Sequence, residues 1–425
     1  MTYKRKFAEG QEYAFQMDLE DPLRAFKDRF HCPKHVDNKD IIYFCGNSLG
    51  LQPSHVMEPI LEVMESWKTR AVEGHFTGQR PWMYYCDQIN PVMARLVGAK
   101  TAEVHVMNTL TVNLHLMLVS FYRPSKSRFK ILIDYSPFPS DRYALVSQIQ
   151  FHGFDPKEAL IELQPDDNTS IIRLEQIQNV LDKNGDEIAL VMMGGVNYYS
   201  GQLYPLGEIT RFAHEKGCVV GFDLAHAAGN VTLTLHEDGP DFAIWCTYKY
   251  LNAGPGNLSG CFVHERHHQD VSIPRFAGWW GYEKKTRFLM KDDFVPEQNT
   301  EGWTLSNPPI LSLACILASM EIFADAGMDN LRKKSVALTG YLEYLIREID
   351  HPSISIITPS SPDQRGCQLS LRIAQGGKEL FKRIRNQGVI GDWREPDVIR
   401  VAPVPLYNSF QEVYHFTEIL KNCLD

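Results

Sequence analysis

Seven short runs, 103–107, 130–134, 160–163, 188–193, 219–223, 242–246 and 258–264, are largely apolar, and this pattern constrains the fold more than any other feature. Runs rich in Val, Ile and Leu, without polar alternation, are strands buried on both faces. They require a mostly parallel sheet covered by helices. Stretches of helical period lie between them, at about 56–72, 86–98, 109–121, 138–152, 171–182 and 205–216. After Ser306-Asn-Pro-Pro309 the pattern restarts as a smaller α/β unit. Helices are expected there at about 310–326 and 329–348, strands at 353–357, 367–373, 389–392 and 398–402, and a closing helix at 409–424. The fold class is α/β, with an N-terminal arm (1–45) packing on the small domain, a large ligand-binding domain (46–315) and a small C-terminal domain (316–425). In such sheets a ligand sits at the carboxyl ends of the strands.

At 425 residues the chain exceeds one small core. Its 44% hydrophobic and 22% charged content is ordinary for a globular protein. A net charge of −9 offers no basic stripe for nucleic acid and no polybasic arm for a membrane. No apolar run reaches the roughly 18 residues of a membrane span. The basic start, Met1 to Phe7, leads to Gln11 and Glu12 rather than to the apolar stretch of a signal peptide. Nine cysteines, scattered singly without a CxxC pair, suit a reducing cytoplasm. Sequons at Asn168 and Asn257 carry no weight in that compartment.

Two charged residues end apolar runs. Asp223 closes Cys218-Val-Val-Gly-Phe-Asp223 and is followed by His226; Lys249, 26 positions later, closes Ile244-Trp-Cys-Thr-Tyr-Lys249 ahead of a Gly-rich turn. A buried structural aspartate and a snorkelling lysine would be the bland account. Pyridoxal 5'-phosphate (PLP) accounts for both, because its aldehyde takes a lysine as a Schiff base and its pyridinium pairs with a carboxylate. The order Asp–x–x–His, then Thr–x–Lys, resembles the fold-type-I PLP enzymes. Three further segments follow strands. Leu110 and Thr111 begin a helix, where free N–H groups and a hydroxyl suit a phosphate. Phe138, in Phe138-Pro-Ser-Asp141, suits stacking on a pyridine ring, with Asp141 near the ring substituents. Ser200, in Gly194-Gly-Val-Asn-Tyr-Tyr-Ser200, offers a hydroxyl toward the cofactor's phenolic oxygen.

Taken together, Phe44-Cys-Gly-Asn-Ser-Leu-Gly, Met107-Asn-Thr-Leu-Thr-Val-Asn, Phe138-Pro-Ser-Asp, Gly221-Phe-Asp-Leu-Ala-His, Tyr248-Lys-Tyr-Leu-Asn, Ser306-Asn-Pro-Pro and Ile399-Arg-Val-Ala-Pro-Val-Pro-Leu-Tyr-Asn-Ser resemble the kynureninase family. Motifs from about 41 to 421 occur in order. The Asp–x–x–His element is common to fold-type-I enzymes; the Phe-Pro-Ser-Asp and Arg-Val-Ala-Pro-Val-Pro runs are narrower. The resemblance implies hydrolytic Cβ–Cγ cleavage of L-kynurenine or its 3-hydroxy form to an anthranilate and L-alanine, in tryptophan degradation and NAD biosynthesis. It implies Lys249, Tyr248 and Asp223 as catalytic residues. It implies cofactor contacts from Leu110, Thr111, Phe138, Pro139, Ser140, Asp141, Ser200, Asp223, His226, Tyr248 and Lys249. Trp279 and Asn307 are expected to reach in from the second subunit of a homodimer with shared sites. His75 and Asn307 are expected to face the substrate ring. Arg400 is expected to hold the substrate carboxylate, ahead of Arg394 and Arg372. Tyr248 as a proton shuttle requires a phenol moved from its ordinary pKa of about 10; a phosphate ligand alone is the alternative. No metal is expected.

Other chemistries fit less well. A cysteine desulfurase would need a mobile loop cysteine, whereas Cys367 reads as a strand residue. His264, His267, His268 and Asp270 are irregularly spaced for a metal and read as a solvated loop. Gly254-Pro-Gly256-Asn-Leu-Ser-Gly260 follows a lysine and leads into a strand, unlike a nucleotide loop. A binding protein without catalysis would be expected to lose Lys249 or Asp223.

Overall fold

A computed structural model describes residues 7–165 and 169–424. Its main sheet comprises β1 (Val104–Met107), β2 (Lys130–Ile133), β3 (Leu160–Glu162), β4 (Ile188–Gly194), β5 (Val219–Asp223), β6 (Phe242–Cys246) and β7 (Ser259–Val263). They lie in the order β1-β7-β6-β5-β4-β2-β3. β7 runs antiparallel to both neighbours, and every other pairing is parallel. All residues of β6 and β7 are buried, as two covered faces require. Glycines make room for large rings on adjacent strands. A Cβ at Gly221 would lie 2.1 Å from the Phe242 ring, and one at Gly260 2.1 Å from Trp245.

Helices α1 (Gln11–Glu20), α2 (Met57–Arg70), α3 (Cys86–Leu96), α4 (Leu110–Phe121), α5 (Pro139–Phe151), α6 (Leu174–Asn184) and α7 (Leu206–Glu215) precede the last two strands of this sheet or begin the chain. α7 buries Leu206, Ile209, Thr210 and Ala213, the single stripe of an amphipathic surface helix. α4 is apolar nearly all round and is packed on several sides.

The C-terminal part contains α8 (Ile310–Ala326), α9 (Met328–Ile349), β8 (Ile354–Ile356), β9 (Leu369–Ile373), α10 (Gly377–Asn386), β10 (Asp392–Arg394), β11 (Val398–Val401) and α11 (Phe410–Leu424). Its antiparallel sheet has the order β8-β9-β11-β10. The strand expected at 389–392 is divided. Val389–Ile390 pairs in parallel with Ile42–Tyr43, and Asp392–Arg394 joins the antiparallel sheet. The arm is built into this core: Ala14, Met17 and Phe44 pack with Tyr341, Leu342 and Phe416, and Lys334 Nζ pairs with Asp21 at 2.7 Å. The expected limit at 315/316 falls inside α8, which is continuous and buries Leu313, Ile316 and Met320 in the core of the large sheet. The chain bends by 79° just after it, around Gly327, whose φ of 72° suits glycine. No single helix among the described residues is long and apolar enough to cross a membrane. Asn257 is buried, with its amide bonded to the carbonyls of Ala253 and Ser312, and Asn168 lies outside the described residues.

Candidate active site

A cleft with about 670 Å³ of empty space opens at the carboxyl ends of the parallel strands. Each wall follows a strand end. β1 leads into Leu110 and Thr111, and β2 into Asp134, Phe138, Ser140 and Asp141. β4 leads into Val196, Asn197 and Tyr198, β5 supplies Asp223, Ala225 and His226, and β6 leads to Tyr248 and Lys249.

The first wall is an anion site in form. Asn108 takes a left-handed φ of 45° and Thr109 is extended, so α4 starts abruptly. The Asn113 side chain donates back to Met107 O at 2.9 Å, which fixes the turn. No side chain caps α4, so its first N–H groups are open to a ligand. α5 begins beside it with Pro139 in its first turn, and Ser140 Oγ lies 2.9 Å from Thr111 Oγ1.

Lys249 Nζ lies 3.0 Å from His226 Nε2 and 5.6 Å from the Phe138 ring centroid. Burial, reinforced by the charges of Lys249, Arg400 and Arg394, holds the His226 imidazole well below its ordinary pKa. It is therefore neutral and accepts from the lysine, while its buried Nδ1 has no protein partner. Three buried carboxyls line the cleft with Lys249. Asp223 Oδ1 accepts from Ala225 N at 2.7 Å; burial raises its pKa, opposed by a hydrogen bond from Asp141 and by Lys249. Asp141 is pushed much further up by burial and by the charge of Asp223. The two carboxyls lie against each other and share a hydrogen bond, with Lys249 as the positive charge that opposes the rise of both. Burial also carries Asp134 up to about 7, although Asn197 Nδ2 donates to it at 3.3 Å.

Several expected residues stand elsewhere. Ser200 does not line the cleft. It is buried in its own loop, where its hydroxyl meets Asn197 Oδ1 at 3.2 Å and accepts from Gln202 N at 3.2 Å. Asn197 is the residue that faces inward, and its Oδ1 also accepts from the N–H groups of Tyr199 and Ser200. Burial raises the Tyr248 phenol above its ordinary pKa, the opposite of what easy proton release needs. Trp279 and Asn307 are exposed and outside the cleft of their own chain. His75 also lies outside it, with Nδ1 at 3.1 Å from Val72 O and its ring 5.0 Å from that of Trp82. Arg400 sits behind the cleft wall, bonded to Asp392 and to Tyr198 O.

Sequence reading missed Asp134, Asn197, Tyr198 and Ala225. Asp134 directly follows an apolar strand and Asp223 closes one, and that was the available signal. His267 bonds Asp241, His268 bonds Val263 O and Asp270 bonds Ser272, so these side chains turn to separate partners. Glu103, His236 and His264 do approach one another, but Glu103 is already satisfied by His236 and by the N–H groups of Lys100 and Glu265. Cys367 is fully buried, and burial pushes its thiol up to about 12, far from a mobile nucleophile.

A lysine and an aspartate at neighbouring strand ends, beside an open helix start on this sheet, define the architecture of the fold-type-I PLP-dependent enzymes. Solved structures share it. A cysteine desulfurase from Escherichia coli superposes with a TM-score of 0.75 over 95% of this chain and 98% of its own, at 15% identity. One from Thermococcus onnurineus gives 0.72 over 90% and 94%, at 16% identity. At such identities the likeness concerns the fold alone. The family is settled by closer relatives: this chain belongs to the kynureninases. It is 53% identical to the kynureninase of Myxococcus xanthus over 99% of both chains, and 50% identical to that of Flavobacterium psychrophilum over 98% of both. Residues 331–420 match the kynureninase C-terminal domain.

Proposed function

We propose that the protein is a PLP-dependent hydrolase that cleaves the Cβ–Cγ bond of L-kynurenine, 3-hydroxy-L-kynurenine or both, releasing L-alanine and the corresponding anthranilate. The observation that carries this reading is the amine of Lys249 in a cleft with the Asp223 carboxylate, in a chain of this family. The residues fit the cofactor. His226 Nδ1 and Asp141 Oδ1 are buried polar atoms without protein partners, and the start of α4 leaves N–H groups for a phosphate.

Bound PLP would supply an electron sink conjugated to the substrate's Cα. The chain's own residues do the rest. Asp223 would hold a proton on the cofactor's ring nitrogen, which a neutral partner could not do as well. Lys249 would anchor the cofactor, and its amine is placed to take and hold the proton of Cα. Phe138 and Ala225 line the cleft and would help to exclude water from a bound ring. Leu110, Thr111 and Ser140, at the starts of α4 and α5, would hold the phosphate end. Burial raises the pKa of Tyr248, so it would be present as the neutral phenol and act as a hydrogen-bond donor.

The enzyme is proposed as a cytoplasmic homodimer with shared sites. Phe76, Trp279, Phe288, Leu289 and Met290 are exposed, and the Phe288 ring lies 6.0 Å from Phe76 and 5.6 Å from Trp279. A surface of that kind suits an interface. The arm is assigned to the small domain that begins after Gly327. Purified protein should show the visible absorbance of lysine-bound PLP and convert kynurenine to alanine in equal amounts with an anthranilate. A colourless protein that PLP does not activate contradicts the assignment.

A further inference from the structure

Asn197 joins three parts of the molecule through one buried amide. Its Nδ2 donates to Tyr135 O at 2.9 Å and to Asp134 Oδ2 at 3.3 Å, both in the loop that follows β2. Its Oδ1 accepts from the N–H groups of Tyr199 and Ser200 at 3.0 and 2.9 Å, within its own loop after β4. The carbonyls of the next three residues are then held by the small domain. Gln368 Nε2 donates to Tyr198 O at 3.0 Å, Ser370 Oγ to Tyr199 O at 2.6 Å and Thr358 Oγ1 to Ser200 O at 2.6 Å. Asn197 and Asp134 are 3% and 4% exposed, so a broken contact here leaves a buried polar group unsatisfied.

Two loops that carry cleft residues are thereby fixed against each other. After Tyr135 the β2 loop turns at Ser136, whose φ of 47° is left-handed, and it brings Phe138 to the cleft and Pro139 to the start of α5. Opposite it the β4 loop presents Tyr198, whose ring meets that of Phe138 edge-on with centroids 5.4 Å apart. The two loops thus touch twice, through a buried amide and through a pair of rings. Burial, with a smaller push from Asp223, raises the Asp134 carboxyl to about 7. Below that pH it is neutral, with the shape of an amide, and accepts from Asn197 through its carbonyl oxygen.

We propose that Asn197 and Asp134 form a positioning pair. Together they lock the β2 loop, with Phe138 and the start of α5, against the β4 loop and the small domain, and so fix the cleft in the geometry that orients a bound cofactor ring. This rests on the reading of the protein as a PLP-dependent hydrolase. Neither residue meets the reacting atoms. Their effect reaches the chemistry through Phe138 and Ser140, which follow the clip in the chain. A displacement of about 1 Å at a reacting group costs on the order of a hundredfold in rate. A loosened clip therefore costs turnover more than substrate affinity.

The test compares the wild-type holoenzyme with Asn197→Asp, Asp134→Leu and Asp134→Asn. Asn197→Asp keeps an oxygen to accept from Tyr199 and Ser200 but loses both donors, so it opens the link between the loops and leaves its own turn bonded. Asp134→Asn has the shape of the neutral carboxyl and keeps an acceptor, whereas Asp134→Leu does not. The readings are the dissociation constant of PLP, the visible circular dichroism of bound PLP, and kcat and KM for kynurenine at saturating PLP. Asn197→Asp should weaken PLP binding roughly tenfold and change the dichroism of the bound chromophore. It should lower kcat roughly tenfold to a hundredfold, with KM within about threefold. Asp134→Leu should change each reading in the same direction, and Asp134→Asn should recover most of the loss. Wild-type dichroism and kcat in PLP-saturated Asn197→Asp, whatever its thermal stability, overturn the proposal, as does a loss in Asp134→Asn as large as in Asp134→Leu. Asp134→Leu puts an apolar side chain in a buried site and decides the matter if Asn197→Asp does not fold. A wild-type protein that binds PLP but does not cleave kynurenine overturns the functional reading, while PLP affinity and dichroism, which need no turnover, still decide on the pair.

Discussion

Lys249 and His226 form a donor–acceptor pair across 3.0 Å, with the imidazole Nε2 as acceptor. The neutral histidine fixes the amine without adding a charge to a site that must also accommodate a phosphate and a substrate carboxylate. It couples the strand end at Asp223, three residues before it, to the lysine that follows β6.

Replacing Lys249 with alanine should abolish turnover while leaving a folded protein. The side chain is the anchor of the cofactor and the carrier of the Cα proton in this account. Steady-state kinetics together with circular dichroism check it, and activity near the wild-type level contradicts the assignment.

Asp134 gives a pH dependence. Its carboxyl rises to about 7 in the folded protein through burial, against about 3.9 in an unfolded chain. The folded state therefore keeps this proton longer. The favourable contribution is complete below about pH 4 and is lost as pH climbs toward 7. In cofactor-free protein, Asp134→Asn should stabilise by about 1–2 kcal/mol at pH 8 and much less at pH 4. Thermal melts at the two pH values check this, and an equal effect at both contradicts it.

The main sheet was legible because unbroken Val/Ile/Leu runs admit one kind of layer, and all seven expected runs became its strands. That Asp223, Phe138 and Lys249 line one cleft could be expected because each ends or follows a strand of the same sheet. Ser200 was misplaced because a sequence run gives no direction to side chains. Asn197, three residues earlier, has an amide that satisfies the loop's N–H groups and holds the serine within the loop, away from the cleft. The split of 389–392 between two sheets was equally hidden, since the partner of Val389 is Ile42, far away in the chain. The course of α8 across the expected limit at 315/316 depended on packing against α2 and α3 that a helical period does not specify.

Shared sites predict complementation. Lys249→Ala and Asn307→Ala homodimers should each be inactive or nearly so. Random exchange of subunits makes half of the dimers mixed, with one intact site in each, so about a quarter of wild-type activity should return. Assay after verified exchange checks this; no recovery counts against a shared site.

A substrate preference is expected if His75 and Asn307 face the substrate ring, since both can bond a phenolic oxygen. They lie outside the cleft of their own chain, so the account requires the assembled dimer to bring them to the substrate ring. If they read the hydroxyl, kcat/KM for 3-hydroxykynurenine should exceed that for kynurenine, by roughly tenfold to a hundredfold. Competition between the two substrates in one vessel measures it. Equal or reversed consumption shows that these residues do not read the hydroxyl.

The central claim is that Lys249 is the covalent anchor of PLP. Borohydride reduction of the holoenzyme, followed by proteolysis and mass spectrometry, tests it most directly. The account predicts a pyridoxyl phosphate label on the peptide containing Lys249, in stoichiometric amount; a label on another lysine, or none, would contradict it.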